Sequence, residues 1–212
     1  ALYHPHIVQL YDSGALEGHG RESGLFYVMP YLKGQSLRER LQKDGQLPPE
    51  DAVHIAVQVA EALAYAHGRG VVHRDIKPEN ILLEGGLAFV TDFGIARALE
   101  ASAGEKLTQS GIVLGTPTYM SPEQAVAGGA ADGRSDIYGL GCVLYEMLAG
   151  EPPFSGRTTQ TILARHASDP VPPLRTVCPN LSPHIEQAVL RALAKAPGDR
   201  FATATDFAAA LA

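Results

Sequence analysis

The stretch His73-Arg74-Asp75-Ile76-Lys77-Pro78-Glu79-Asn80, with Asp92-Phe93-Gly94 close behind it, constrains this chain more than any other feature. It concentrates carboxylates, an amide and an ammonium in one short span. Asp75, Asn80 and Asp92 offer hard oxygens that can orient a hydroxyl and hold Mg²⁺ against a polyphosphate, and Lys77 adds positive charge at the same place. Phosphoryl transfer needs positioning and charge neutralisation more than covalent chemistry. A fold that serves this chemistry brings positions 75, 80 and 92 to one site. Side chains facing apart at these positions are incompatible with it.

The chain has 212 residues, enough for one domain or for a small lobe and a larger one. Its net charge of -6 argues against a nucleic-acid partner, which calls for a basic stripe. Cys142 and Cys178 are the only cysteines, too few for a disulfide framework or a zinc site, and they fit a reducing, cytoplasmic setting. No apolar run reaches the roughly 18 residues of a membrane span. The chain opens at Ala1 without an initiator Met or signal-peptide pattern, which reads as a start partway through a longer protein.

Residues 7–12 and 25–31 are rich in β-branched and aromatic side chains and predict an antiparallel hairpin around a Gly-rich tip at 13–24, with pairing expected to stop at Pro30. Ser36 and Glu39 form a capping-box pattern for a short helix ending before Gly45. Pro48-Pro49-Glu50-Asp51 suits the first turn of a longer helix to about His67. Short strands are predicted at 71–72, 81–83 and 87–91, and a long functional loop over 95–122. The apolar run from Asp136 to Leu148 predicts a helix through the middle of the domain. Ser182-Pro183 opens another helix to about Lys195, and a final amphipathic helix covers 204–211.

From about residue 4 onward the chain resembles the protein kinase family, of the Ser/Thr class and most like its bacterial members. HRDIKPEN (73–80), DFG (92–94), GTPTYMSPE (115–123), DGRSDIYGLG (132–141) and GDRF (198–201) carry the resemblance, in the family's order. It implies an α+β, protein-kinase-like fold, with a remnant of the small β lobe at 1–31 and a mostly helical large lobe at 32–212.

The same resemblance implies the roles of individual residues. Asp75 orients the acceptor hydroxyl and takes its proton, Lys77 contacts the γ-phosphate, and Asn80 and Asp92 hold Mg²⁺. His73 and Phe93 read as packing residues. Thr116 lies near the catalytic Asp and Lys and helps set Ser/Thr preference. Met29 stands behind the adenine, the carbonyl of Pro30 and the N–H of Leu32 bond its edge, and Ser36 joins the nucleotide-contacting positions. Pro30 departs from the acidic residue common in relatives but keeps its carbonyl. Leu82 fits both the floor under the adenine and simple core packing. Thr108 and Ser110 are candidate phosphorylation sites within the activation segment, with Arg74 and Arg97 as phosphate partners. Glu123 and Arg200 match a buried ion pair, and Asp136 braces the catalytic-loop backbone. ATP and Mg²⁺ are the implied cofactors, and protein substrates and a homodimer for trans-autophosphorylation the implied partners. The domain is expected on the cytoplasmic side, in a family whose members often carry membrane-anchored parents.

Three parts of the family pattern are missing: a Gly-rich phosphate loop, a strand Lys and a helix Glu. Gly18-His19-Gly20-Arg21-Glu22-Ser23 lacks the final Gly and reads as a hairpin tip. The chain is therefore read as truncated within the small lobe, inactive alone, and exposing an apolar face. Two other readings stay open at this point: a non-catalytic pseudokinase scaffold, and a small-molecule phosphotransferase with a related lobe.

Overall fold

The computed structural model describes residues 2–16, 24–93, 116–126 and 131–212. A two-stranded antiparallel hairpin, β1 (Asp12–Leu16) and β2 (Gly24–Val28), pairs Asp12 with Val28 and Leu16 with Gly24. Pairing ends before Pro30. The first strand does not occupy 7–12. That run is divided instead: Ile7 is buried and bridges Val90, the Val8 N–H donates to the Val90 carbonyl at 2.9 Å, and the chain enters the hairpin only at Asp12. Leu10, Tyr11, Phe26, Val28, Met29 and Tyr31 are all exposed.

A short strand, β3 (Gln35–Ser36), leads directly into α1 (Leu37–Asp44). Here the predicted capping box is complete. The Glu39 N–H donates to the Ser36 hydroxyl oxygen, and the Glu39 carboxylate accepts from the Ser36 N–H at 2.7 Å. α2 (Pro49–His67) starts on Pro49 with Glu50 and Asp51 in its first turn. β4 (Ile81–Glu84) and β5 (Leu87–Val90) form a hairpin, with β3 added on the far side of β4. Residues 71–72 are not a strand. Val71 and Val72 have the propensity but no ladder partner, and the backbone runs as irregular loop to Lys77.

α3 (Gly133–Ala149) is the axis of the molecule, buried without a break from Ser135 to Leu148. A helix that is apolar all round has no solvent face, and α3 packs against α2, α5 (Pro183–Ala192) and α6 (Ala204–Leu211). Gly139 lets the loop around Ile76 lie close on this axis. A Cβ there would stand 3.3 Å from the Ile76 carbonyl oxygen. Gly150, left-handed at φ 83°, ends the helix.

α4 (Thr159–Ser168) has no counterpart among the predicted elements. Its cap, Thr158, accepts from the Thr161 N–H, and Arg165 pairs with Asp169 at 3.0 Å. α5 ends at Ala192, short of Lys195, and the Ser182 hydroxyl bonds Nδ1 of His184 rather than a helix N–H. Cys142 is buried in the core, where desolvation pushes its thiol up. No described helix is long and apolar enough to cross a membrane.

Candidate active site

The loop that carries residues 73–80 hangs from one buried carboxylate. Asp136, near the start of α3, accepts from the His73 N–H at 2.8 Å, the Arg74 N–H at 2.7 Å and Nε2 of His67 at 2.7 Å. These bonds hold Arg74 at φ 70°, a left-handed conformation unusual for a residue with a Cβ. The His73 ring then fixes the next turn. Its Nε2 donates to the Thr91 carbonyl at 2.7 Å, which leaves Nδ1 to accept from the Asp75 N–H at 3.2 Å. Phe93 meets the same ring edge-on at 4.7 Å between centroids.

This scaffold brings four of the predicted residues into direct contact. The Lys77 ammonium lies 2.5 Å from the Asp75 carboxylate and 3.3 Å from the Thr116 hydroxyl. The Asn80 amide donates to the Asp75 carbonyl at 2.8 Å and to its carboxylate at 3.2 Å. Asp92 enters from the neighbouring segment. The Thr91 N–H donates to the Asn80 carbonyl at 2.9 Å, so the exposed Asp92, at φ 64°, follows directly on the residue that touches Asn80.

Met29, Pro30 and Leu32 lie on the connection from β2 to β3 and make no hydrogen bond to Asp75, Lys77 or Asn80. Leu82 is half-buried on β4, paired with Phe89 on one side and Ser36 on the other. The Ser36 hydroxyl is engaged in its helix cap. Arg97, Thr108 and Ser110 lie outside the described residues. The Arg74 carbonyl accepts from the Gln124 side chain at 2.8 Å, tying the loop to the turn Pro122–Ala125.

Glu123 and Arg200 clamp that turn to the end of the domain. The guanidinium meets both carboxylate oxygens, at 2.7 and 2.8 Å, and Ser135 donates a third bond at 2.7 Å. Burial works against the charged carboxylate, but these donors outweigh it and hold Glu123 at about 2.

A second charged cluster joins segments that no sequence motif links. Arg38, on α1, reaches Glu79 of the catalytic loop, Tyr119 of the turn Pro117–Tyr119, and Glu146 of α3. Glu79 stood in plain view within the loop motif. No local signal marked Arg38, since its partners are remote in the chain.

A sequence model of the protein kinase domain matches residues 1–209. The chain belongs to the protein kinase family. Among the similar proteins, the serine/threonine-protein kinase PknB of Mycolicibacterium smegmatis is 45% identical over the whole of this chain, and its namesake in Mycobacterium tuberculosis is 43% identical. The chain spans 33% of the length of these relatives. In three dimensions it is similar to the kinase domain of PknI from Mycobacterium tuberculosis, with 32% identity and a TM-score of 0.75, covering 99% of this chain and 72% of that one. The kinase domain described here is α+β and mostly helical, built around the buried helix α3 that carries Asp136.

The family generally uses ATP and Mg²⁺, and the donor chemistry here suits that metal. Asn80 and Asp92 carry an amide oxygen and a carboxylate, hard donors of the kind that would fit Mg²⁺. Mg²⁺ characteristically takes only one or two groups from the protein and fills its other positions from phosphate and water. Among the described residues no cluster of three or more His, Cys, Asp or Glu offers a dedicated all-protein metal site.

Proposed function

We propose that the protein carrying this domain transfers the γ-phosphoryl group of ATP to Ser and Thr hydroxyls of other proteins. The observation that carries the reading is the Lys77 ammonium held between the Asp75 carboxylate and the Thr116 hydroxyl. It joins a proton acceptor, a fixed cation and a hydroxyl-reading side chain in one contact set.

In this mechanism Asp75 accepts the proton of the acceptor hydroxyl while that oxygen bonds the γ-phosphorus and the bond to the bridging oxygen of ADP breaks. Lys77 balances charge on the transferring group. Asn80 and Asp92 would hold Mg²⁺, which would neutralise phosphate charge when bound. Pro30 and Leu32 would bond the adenine edge, with Met29, Leu82 and Ser36 as further nucleotide contacts. Thr116 favours an aliphatic hydroxyl over a phenol. Arg74 and Arg97 receive phosphate added at Thr108 and Ser110, and replacing both hydroxyl residues by Ala lowers activity. A homodimer supplies that phosphate in trans, and the domain works on the cytoplasmic side.

The test is a transfer assay with full-length protein, labelled ATP and two rival acceptors, a Thr-containing protein and an aminoglycoside. Label in protein phosphothreonine or phosphoserine is the expected result. Label in the aminoglycoside alone, or ATP binding without transfer to either acceptor, overturns the proposal.

A further inference from the structure

We propose that Arg38 is a specificity-determining residue: its guanidinium fills, from within the chain, an acidic socket at the acceptor side of the site and closes it to arginine in a substrate. The inference rests on the protein kinase reading above.

The socket has three walls. Glu79 immediately precedes Asn80 in the turn Pro78–Asn80. Tyr119 ends the turn that begins after Thr116, the partner of Lys77. Glu146 projects from α3 and is nearly sealed from solvent. Arg38 fits all three at once. Its Nε donates to Glu79 at 2.8 Å, one terminal nitrogen donates to Glu146 at 2.7 Å, and the other donates to the Tyr119 hydroxyl. The Tyr119 hydroxyl donates to the second oxygen of Glu146 at 2.6 Å. Every nitrogen of the planar fork has an acceptor, a geometry that an ammonium does not reproduce.

Position and charge give the socket its meaning. Asp75 takes the proton of the acceptor hydroxyl in the proposed reaction and Thr116 selects that hydroxyl, and Glu79 and Tyr119 are near neighbours of these two residues along their segments. The segments that carry Asp75 and Thr116 thus also supply two walls of the socket, Glu79 and Tyr119. Two carboxylates face one cation there, so the surplus charge is negative. Side-chain exposure rises from 5% at Glu146 through 24% at Arg38 to 45% at Glu79, so the socket opens to solvent at the catalytic-loop end. Without Arg38, Glu146 is left as a buried carboxylate with a phenol for company, and an incoming guanidinium repairs that deficit. With Arg38 in place the deficit is already met, and substrate arginine gains nothing.

The experiment measures kcat/KM of the full-length protein on peptides with one Thr, walking Arg through the flanking positions of an otherwise neutral sequence. Wild type is expected to treat Arg and Ala peptides alike within about threefold, whereas Arg38→Ala favours Arg at one or more positions by about tenfold, through KM, and Arg38→Ala with Glu79→Gln loses the gain. A flat profile for folded Arg38→Ala that still phosphorylates the neutral peptide overturns the inference and leaves the kinase reading intact. Should Arg38→Ala not fold, wild type and Glu79→Gln decide alone: flat profiles in both support the plug, and a wild-type Arg preference that Glu79→Gln abolishes overturns it. No transfer to the neutral peptide by wild type overturns the kinase reading, and the inference with it.

Discussion

Arg200 meets Glu123 in a two-pronged ion pair, its side chain wholly buried and both carboxylate oxygens occupied. The same guanidinium also donates to the carbonyls of Arg134, Ala194 and Lys195 and lies over the Tyr138 ring. Removing one partner strands the other without a counter-charge. Glu123→Ala is expected to cost about 3–5 kcal/mol in urea unfolding at neutral pH. The pH dependence follows from the depressed carboxylate. Glu123 titrates at about 2 in the folded chain against 4.5 ordinarily, so the unfolded chain takes up the proton first as pH falls. The pair's contribution is full above 4.5 and declines toward 2. In Glu123→Gln that part of the acid destabilisation disappears, and an unchanged slope counts against the assignment.

His166 is a second acid-sensitive point. The Tyr138 hydroxyl donates to its Nδ1 at 2.8 Å, and its Nε2 donates to the Thr118 carbonyl at 3.0 Å. Burial, reinforced by the nearby Lys195 ammonium, lowers the ring to about 4. The folded chain keeps it neutral while the unfolded chain protonates it at 6.5. Stability from this ring is therefore present above 6.5 and lost as pH falls to about 4, on the order of 3 kcal/mol. NMR titration of the ring reads the value directly. His166→Gln is expected to flatten the unfolding free energy across that window, and a ring that titrates near 6.5 refutes the account.

Asp136→Asn tests how the catalytic loop is hung. An Asn side chain accepts at one atom only, so its N–H₂ confronts either the His73 or the Arg74 amide. The expected loss is about 1–3 kcal/mol for the orphaned donor, with faster hydrogen exchange at that amide. Unchanged exchange at both amides shows that another group holds the loop.

Asp75→Asn in the full-length protein removes the proton acceptor and the carboxylate partner of Lys77 together. Transfer is expected to fall by about 10²–10⁴-fold while nucleotide binding, read by calorimetry, persists. Near-normal turnover removes Asp75 from the proposed role.

The legibility of this chain varied with the reach of the interaction. The Ser36–Glu39 cap and the Pro49 start of α2 were readable because each motif is satisfied within a few residues. The apolar run of α3 was readable because so long a stretch has no solvent-compatible face. Ile7–Asp12 misled because its β-branched and aromatic residues signal extended chain but not a partner: Ile7 joined Val90, and Asp12 joined Val28. Val71-Val72 misled for the same reason. α4 was overlooked between prolines, although Thr158 as a cap and the Arg165–Asp169 spacing both advertised it.

By itself the sequence determined which chemical groups are available and where the helices begin, because caps and apolar periodicity act over one or two turns. The resemblance implied that Asp136 braces the loop and that Thr116 lies near Asp75 and Lys77; tertiary structure decided which atoms meet there, and it alone decided that Arg38 fills the gap between Glu79 and Glu146. Such partners are chosen by how distant segments pack against α3, and a buried charge has a defined counterpart only once that packing has excluded water.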